Sequence, residues 1–298
     1  MLEILLREKG RLKIVGTNHI VKPRLSILLP AHSASKTIGL AVLSTLAFMP
    51  RGSELLVFLD GSNTKSKVLS WASKNSKVRV FQSEEALGIS GALNTLIEKS
   101  ESELIARMDA DDICLPWRFT GSIRRLSNNF DDFIFTNTIL FGRTVRPFWL
   151  SPHLPVSIDD NQAKWLLWLG NPFAHPTMIT KKSCLLALGG YRDSLSEDYD
   201  LWLRAAVAGF RLRRLRRHGL LYRIHAGQHT QQKNFEYLVG VDPLLGESRK
   251  AFNQWLTIEA GDYGNKDLTQ VSVNSLAKSK FGMRLQMYLS ARQPKPVK

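Results

Sequence analysis

Apolar positions along this chain fall into short continuous runs, separated by stretches whose apolar residues recur at helical spacing. Leu25-Ser26-Ile27-Leu28-Leu29 is the first run, stopped at Pro30, and Ala34 to Phe48 then reads as a helix. Glu54 to Leu59 is the second run and ends on Asp60-Gly61-Ser62-Asn63, a turn signal, before a helix to about Ser73. Val78 to Phe81 is a third, Gly88 to Lys99 a helix, and Glu103 to Met108 a fourth run. Uninterrupted apolar strands alternating with helices predict βαβ units around a mostly parallel sheet buried on both faces.

The second half is less regular. Trp117 to Leu126 reads as a helix, Phe133 to Phe141 as a strand, and Asn161 to Leu169 as a buried helix or an acceptor-side wall. Phe173 to Ile179 reads as a strand, followed by a helix from Lys181 to Gly189-Gly190. Ser196 is placed as the N-cap of a helix that opens with Glu197 and Asp198, where acids suit the helix dipole. Phe210 to Arg217, with arginines alternating around Leu212 and Leu215, reads as a solvated edge strand rather than a binding patch. Helices are expected between about Asn234 and Met287, then a basic tail from Gln293 to Lys298.

The fourth strand delivers Arg107-Met108-Asp109-Ala110-Asp111-Asp112. Three carboxylates this close repel unless a cation or a set of donors holds them. Oxygen ligands without neighbouring Cys or His suit Mg2+ or Mn2+ rather than zinc. An isolated Asp-x-Asp is more often a solvated turn. Here three strands end in candidate ligand groups: Pro30-Ala31-His32, Asp60-Gly61-Ser62 and Asp109 to Asp112. In a parallel sheet the ligand crevice lies beyond those carboxyl ends.

Composition narrows the partners. The 298 residues carry Lys+Arg 41 against Asp+Glu 26, a net charge of +15. That excess favours an anionic partner, whether nucleotide, nucleic acid or acidic membrane surface. No nucleic-acid motif is present, and the aromatic residues are not interleaved with the basic clusters. Cys114 and Cys184 have no spaced partners, which points to a reducing, cytoplasmic compartment. The N-terminus lacks a signal-peptide apolar core, and no apolar run approaches the roughly 20 residues of a membrane span.

In order along the chain, these motifs resemble the inverting family 2 glycosyltransferases of the GT-A fold. Ser26-Ile27-Leu28-Leu29-Pro30 resembles that family's opening strand, and Gly88-Ile89-Ser90-Gly91-Ala92-Leu93-Asn94 its glycine-bearing helix. The acid turn with Pro116 and Arg118 behind it, His175-Pro176-Thr177, Gly189-Gly190-Tyr191-Arg192, Glu197 to Arg204 and Tyr222-Arg223-Ile224-His225 follow in the family's order. The resemblance implies a GT-A domain at about 23–230, between a lead-in at 1–22 and a helical, basic extension at 231–298. It implies a nucleotide-diphospho-sugar donor held by Pro30, Ala31, His32, Asp60, Asn94, Arg107, Asp109 and Asp111. Asp111 and Asp109 would hold Mg2+ or Mn2+, with His225 either completing the metal shell, touching the pyrophosphate or serving structure. Asp198 would be the general base, with Glu197, His175 and Trp202 on the side of a saccharide or lipid-linked acceptor. Leu59 stands where the family often has an acid, and His32 where it often has Tyr or Asn.

Two other readings compete. A sugar-phosphate nucleotidyltransferase would want a glycine-rich basic loop after the first strand, and Pro30 to Ser35 contains no glycine. A non-catalytic protein that binds nucleic acid or membrane would have no need of the acids. With the transferase reading, the positive charge would bring the enzyme to the anionic inner membrane face, where lipid-linked acceptors are found.

Overall fold

Strands β3 (Ser26–Ala31) and β4 (Glu54–Leu59) are buried at every position, as their mostly apolar composition requires, and their polar first residues, Ser26 and Glu54, bond each other. They run parallel, in a register that pairs Ser26 with Glu54 and Ala31 with Leu59, so both end level. This is a computed structural model, and it describes residues 6–8, 11–13, 24–61, 67–142, 150–152, 156–225 and 235–261. β3 includes Pro30 instead of stopping before it. Pairing with β6 (Leu104–Arg107) ends at Leu28 and Arg107, so the missing Pro30 N–H costs no ladder bond.

With β5 (Val78–Gln82), β7 (Ile113–Cys114), β8 (Phe133–Phe141), β9 (Leu150–Pro152), β10 (Ile179–Lys181) and β11 (Leu212–Arg223), these strands build a nine-stranded sheet. Its order is β5-β4-β3-β6-β10-β8-β11-β7, with β9 against β8. β3 to β6 form the parallel half; β10 enters antiparallel between β6 and β8. β1 (Leu6–Glu8) and β2 (Arg11–Lys13) form a separate antiparallel pair.

Helices α1 (Ile38–Phe48), α2 (Lys67–Ala72) and α4 (Thr120–Ser127) share one core with alternate residues of the strands: Ile27, Leu29, Leu55 and Val57 from the first pair, and Met108, Ile134 and Leu220 beyond. α3 (Gly88–Lys99) covers β3 and β4 from the other side. The second core, around Trp202, is aromatic: Phe133 and Phe135 meet that ring edge-on at 5.7 and 4.8 Å, and Phe173 stacks on Phe135. α1 starts at Ile38, later than the expected Ala34, because Ser33 takes a left-handed backbone (φ 52°) and residues 34–37 form a turn.

Three expectations are corrected. Phe173 to Ile179 is not one strand, because Pro176 cannot donate to a ladder; His175–Thr177 is a 3-10 turn and only Ile179–Lys181 is a strand. Ser196 precedes α7 (Glu197–Val207) but gives no capping bond; its Oγ lies 3.3 Å from Asp198 Oδ1. The basic stretch at the start of β11 is an edge, as read: β7 covers only Leu220 and Leu221, and among the described residues the outer side of Leu212–Arg217 meets just an isolated bridge between Ile158 and Arg214. Most of its arginines, however, are paired instead of solvated. Arg213 bonds the buried Asp131 at 2.7 Å, Arg211 bonds Asp132 at 3.1 Å, and buried Arg214 donates to the Pro172 and Val156 carbonyls.

α5 (Asp160–Leu169) begins with a reciprocal capping box between Asp159 and Gln162. α6 (Lys182–Ala187) ends at Gly189 and Gly190, both left-handed. α8 (Phe235–Gly240) and α9 (Pro243–Gly261) realise the first of the C-terminal helices; the rest of the expected helical stretch and the basic tail lie outside the described residues. The chain divides into a unit at Met1–Arg249, which holds the sheet, and another at Lys250–Lys298, where α9 brings the Phe252 and Trp255 rings within 5.5 Å. Among the described residues no helix is long and apolar enough to cross a membrane, and both cysteines are buried and free.

Candidate active site

The acid turn is positioned from both flanks. Before it, Met108 N–H donates to Leu28 at 2.8 Å, carrying the level of β3 into the turn. After it, β7 pairs with β11, Ile113 opposite Leu221 and Cys114 opposite Leu220. That pairing brings Arg223 to the acids: its backbone N–H donates to Asp112 Oδ1 at 2.8 Å and its Nε to the Asp111 carbonyl at 2.7 Å. His225 follows, with Nε2 3.0 Å from Asp111 Oδ2. From beneath, the fully buried Arg118 donates to the Arg107 carbonyl, to the Pro176 carbonyl at 2.5 Å and to Met108 Sδ at 3.1 Å.

Asp109, Asp111 and Asp112 each present an oxygen, all within 4.8 Å of one another. Asp112 is buried, and burial with the charges of Asp109 and Asp111 holds its carboxyl well above the usual range. Its Oδ2 is buried with no hydrogen-bond partner, and Asp109 Oδ1 meets only the Arg107 guanidinium at 2.7 Å, outside hydrogen-bond geometry. Clustered hard oxygens with an orphaned carboxylate atom fit a divalent cation. Arg107 is itself buried, with Nε and Nη1 unpartnered.

At the end of the two leading strands, His32 Nδ1 lies 2.8 Å from the Asp60 carbonyl oxygen. Pro30 and Ala31 are buried inside β3, directly before His32. Asp60 Oδ1 accepts the Leu87 N–H at 2.6 Å and faces Ser83 Oγ at 3.4 Å, fastening the loop that leads into α3. Gly61 is left-handed, and a Cβ there would lie 2.7 Å from the Ala86 nitrogen, so no side chain fits.

On the opposite side stands Asp198, in the first turn of α7. Asn171 Nδ2 donates to its Oδ2 at 2.7 Å, and the Tyr199 N–H donates to its Oδ1 at 2.7 Å. Burial, then the charge of Glu197, raise the Asp198 carboxyl above its ordinary range; His175, Asn171 and the Tyr199 N–H oppose this. The segment before α7 is tied down by side chains from further along the chain. Asp242 Oδ2 accepts Ser194 Oγ and the Leu195 N–H, both at 2.7 Å, while its Oδ1 caps α9 through the Leu244 and Leu245 N–H groups. Arg192 and Arg204 grip the fully buried Asp200, which also accepts from Ser248 at 2.9 Å.

His175 links the two sides. Its Nε2 is 2.8 Å from Tyr191 Oη and its Nδ1 3.4 Å from Glu197 Oε1. Burial first, then the Arg107 charge, lower its pKa to about 4, while Asp198 and Asp109 pull the other way. The acid turn and the start of α7 therefore act on one buried, neutral ring. Burial likewise pushes the Tyr191 hydroxyl up, keeping it a proton donor.

Of the residues expected on the acceptor side, Trp202 is 0% exposed and belongs to the aromatic core, so it has no surface for an acceptor. Its place beside the acid motif in sequence misled, because it faces inward one turn along α7. Asn94, expected at the donor, instead grips the backbone of Tyr191, donating to its carbonyl at 2.8 Å and accepting its N–H at 2.9 Å. The sequence reading gave no separate role to Asp112, Asn171, Tyr191 or Arg223. Asp112, Tyr191 and Arg223 lay inside quoted motifs; Asn171, in a Gly-Asn-Pro loop, carried no signal of its own.

The Glycosyl transferase family 2 model matches residues 26–185, more than half of the chain. The chain is 28% identical over 222 residues to the O-antigen biosynthesis glycosyltransferase WbnJ of Escherichia coli, covering 72% of this chain and 84% of that protein. It is 32% identical over 131 residues to the Escherichia coli UDP-Glc:alpha-D-GlcNAc-diphosphoundecaprenol beta-1,3-glucosyltransferase WfgD, covering 41% and 51%. Residues 1–349 of TarS from S. aureus, solved with UDP-GlcNAc, share the fold with a TM-score of 0.59 at 15% identity, over 88% of this chain and 78% of that one. The chain belongs to glycosyl transferase family 2 and is an inverting nucleotide-sugar glycosyltransferase of the GT-A fold.

Proposed function

We propose that the chain transfers a hexose from a UDP-sugar to a hydroxyl of a lipid-diphosphate-linked saccharide, in the assembly of a cell-envelope polysaccharide. The observation that carries this reading is that the His175 turn lies between the acid turn and α7. Arg118 joins the Arg107 and Pro176 carbonyls, and His175 Nδ1 lies 3.4 Å from Glu197 Oε1, which supports a phosphate end and a base end side by side. WfgD is a glucosyltransferase named for UDP-Glc and an undecaprenol-linked GlcNAc, and WbnJ for O-antigen biosynthesis.

In this reading Asp111 and Asp109, with His225 beside Asp111, are the residues that would hold Mg2+ or Mn2+. When bound, such a cation neutralises charge developing on the leaving nucleoside diphosphate. Pro30, Ala31 and His32 carry the base, and Asp60 accepts the uracil ring N–H through Oδ2, its Oδ1 being held by Leu87. Arg107 keeps Asp109 oriented and offers its remaining donors to the sugar or phosphate.

Asp198 takes the acceptor hydroxyl proton as that oxygen attacks the anomeric carbon. The new C–O bond forms as the bond to phosphate oxygen breaks on the opposite face, which inverts the configuration. The raised proton affinity of Asp198 suits a base working near neutral pH. Glu197 orients the acceptor, and neutral His175 holds Glu197 without competing for the proton.

The test is to follow UDP release from a panel of UDP-sugars with Mn2+, with and without an undecaprenyl-diphosphate-linked N-acetylhexosamine. Acceptor-dependent release of UDP supports the reading. Release of pyrophosphate from a nucleoside triphosphate and a sugar phosphate would replace it with a nucleotidyltransferase.

A further inference from the structure

The helices on the two sides of the sheet differ in charge. The stretches that build the α1, α2 and α4 layer, residues 31–53, 61–83 and 113–130, contain no Asp or Glu. They carry Lys36, Arg51, Lys67, Lys74, Lys77 and Arg124, all exposed. The acids lie elsewhere, among them Glu98 on α3, Asp160 on α5, and Glu197, Asp198 and Asp200 on α7.

The same layer shows apolar side chains to solvent. α1 has no charged residue at all, and while Ile38, Ala41, Val42 and Thr45 face the core, Leu40 (53% exposed), Leu43 (41%) and Phe48 line its outer side. On the neighbouring α2, Trp71 is 59% exposed. An apolar stripe with an exposed tryptophan, rimmed by basic and free of acidic residues, has the chemistry of a surface that lies on an anionic bilayer. What favours a bilayer over an acidic protein is the exposed apolar stripe inside the basic rim, since a bilayer offers headgroup phosphates and apolar depth over one continuous surface.

We propose that the outer face of α1 and α2, centred on Leu40, Leu43, Phe48 and Trp71, docks the enzyme on an anionic lipid bilayer. Apolar side chains enter the headgroup region and the lysines and arginines at the rim meet lipid phosphates. This gives the lipid-linked acceptor of the proposed function a surface on which to meet the enzyme. Docking is measured without donor or acceptor, so it stands or falls separately from the transfer reaction.

The experiment is cosedimentation of the full chain with vesicles of phosphatidylcholine alone or with about 30% phosphatidylglycerol. Binding is expected only to the anionic vesicles, weakening as salt rises. Lys67→Glu with Lys74→Glu should lower it at least ~10-fold, since each basic residue at such a surface contributes several-fold. Lys99→Glu with Lys164→Glu, the same change of net charge on the α3 and α5 side, should leave it within about two-fold. Because variants can misfold, the unaltered chain is read a second way: bromine-labelled lipid should quench tryptophan emission, and Trp71→Phe should remove that quenching. Equal losses in both charge pairs, equal binding to neutral vesicles, no quenching, or a dimer that Leu40→Ser dissolves would each overturn the proposal.

Discussion

Asn171 donates its side-chain N–H to Asp198 Oδ2 across 2.7 Å, joining the loop after α5 to the first turn of α7. This bond stabilises the ionised carboxylate, against the burial and the Glu197 charge that oppose it. Asn171→Ala therefore raises the Asp198 pKa further. The acidic limb of the kcat profile should move to higher pH by about one unit, the equivalent of a charged hydrogen bond of about 1.5 kcal/mol. KM for the nucleotide sugar should hold. An acidic limb that stays in place would remove Asp198 from the role of base.

The buried His175 makes a prediction about stability. Its folded pKa of about 4 lies below the unfolded value near 6.5, so the unfolded chain takes up a proton that the folded chain refuses. Above about pH 6.5 the residue has no effect on stability. As pH falls towards 4 it should cost up to about 3 kcal/mol, read as a falling urea midpoint. His175→Gln should flatten that part of the curve.

Asp242 carries two jobs on one carboxylate, capping α9 and holding Ser194 and Leu195 ahead of Asp198. Asp242→Ala should lower stability by about 1–2 kcal/mol through the lost cap. It should also reduce kcat about 10-fold with little change in donor KM, because the base is held less firmly while the donor side is untouched. Asp242→Asn keeps an acceptor oxygen and should recover much of both. A variant that loses stability with kcat intact would leave Asp242 a cap alone.

Metal dependence follows from the acid turn. With UDP present, Mn2+ at about 100-fold over its Kd should add roughly 2.7 kcal/mol of apparent stability, seen as a rise in Tm. Asp111→Asn should abolish this increment while changing the metal-free Tm little, since the side chain is partly exposed and an amide can keep the contact to His225. An increment that survives the substitution would place the cation elsewhere.

The parallel half of the fold was legible because its signals are local. β3 and β4 are long apolar runs, and α3 matches its reading at both ends. The second half depends on partners distant in sequence. Nothing near Arg213 shows that Asp131 waits 82 residues earlier, so a basic strand read as solvated. Its reading as an edge holds for the basic half, because β7 is two residues long and reaches only Leu220 and Leu221. The candidate site was legible where a motif carries charge, as at the acid cluster of Asp109 to Asp112. It was not where an ordinary residue completes the geometry, as Asn171 does, or where a conspicuous aromatic, Trp202, turns inward.

The pairing of Ile113–Cys114 with Leu220–Leu221 joins residues more than a hundred positions apart in the chain. A nascent chain that has emerged only as far as the acid turn has its three carboxylates but lacks the strand, made more than a hundred residues later, that fixes their geometry. Contacts of such sequence separation close late. Ribosome-bound chains ending before Leu212 should therefore fail to take up Mn2+, while the full-length chain should bind it.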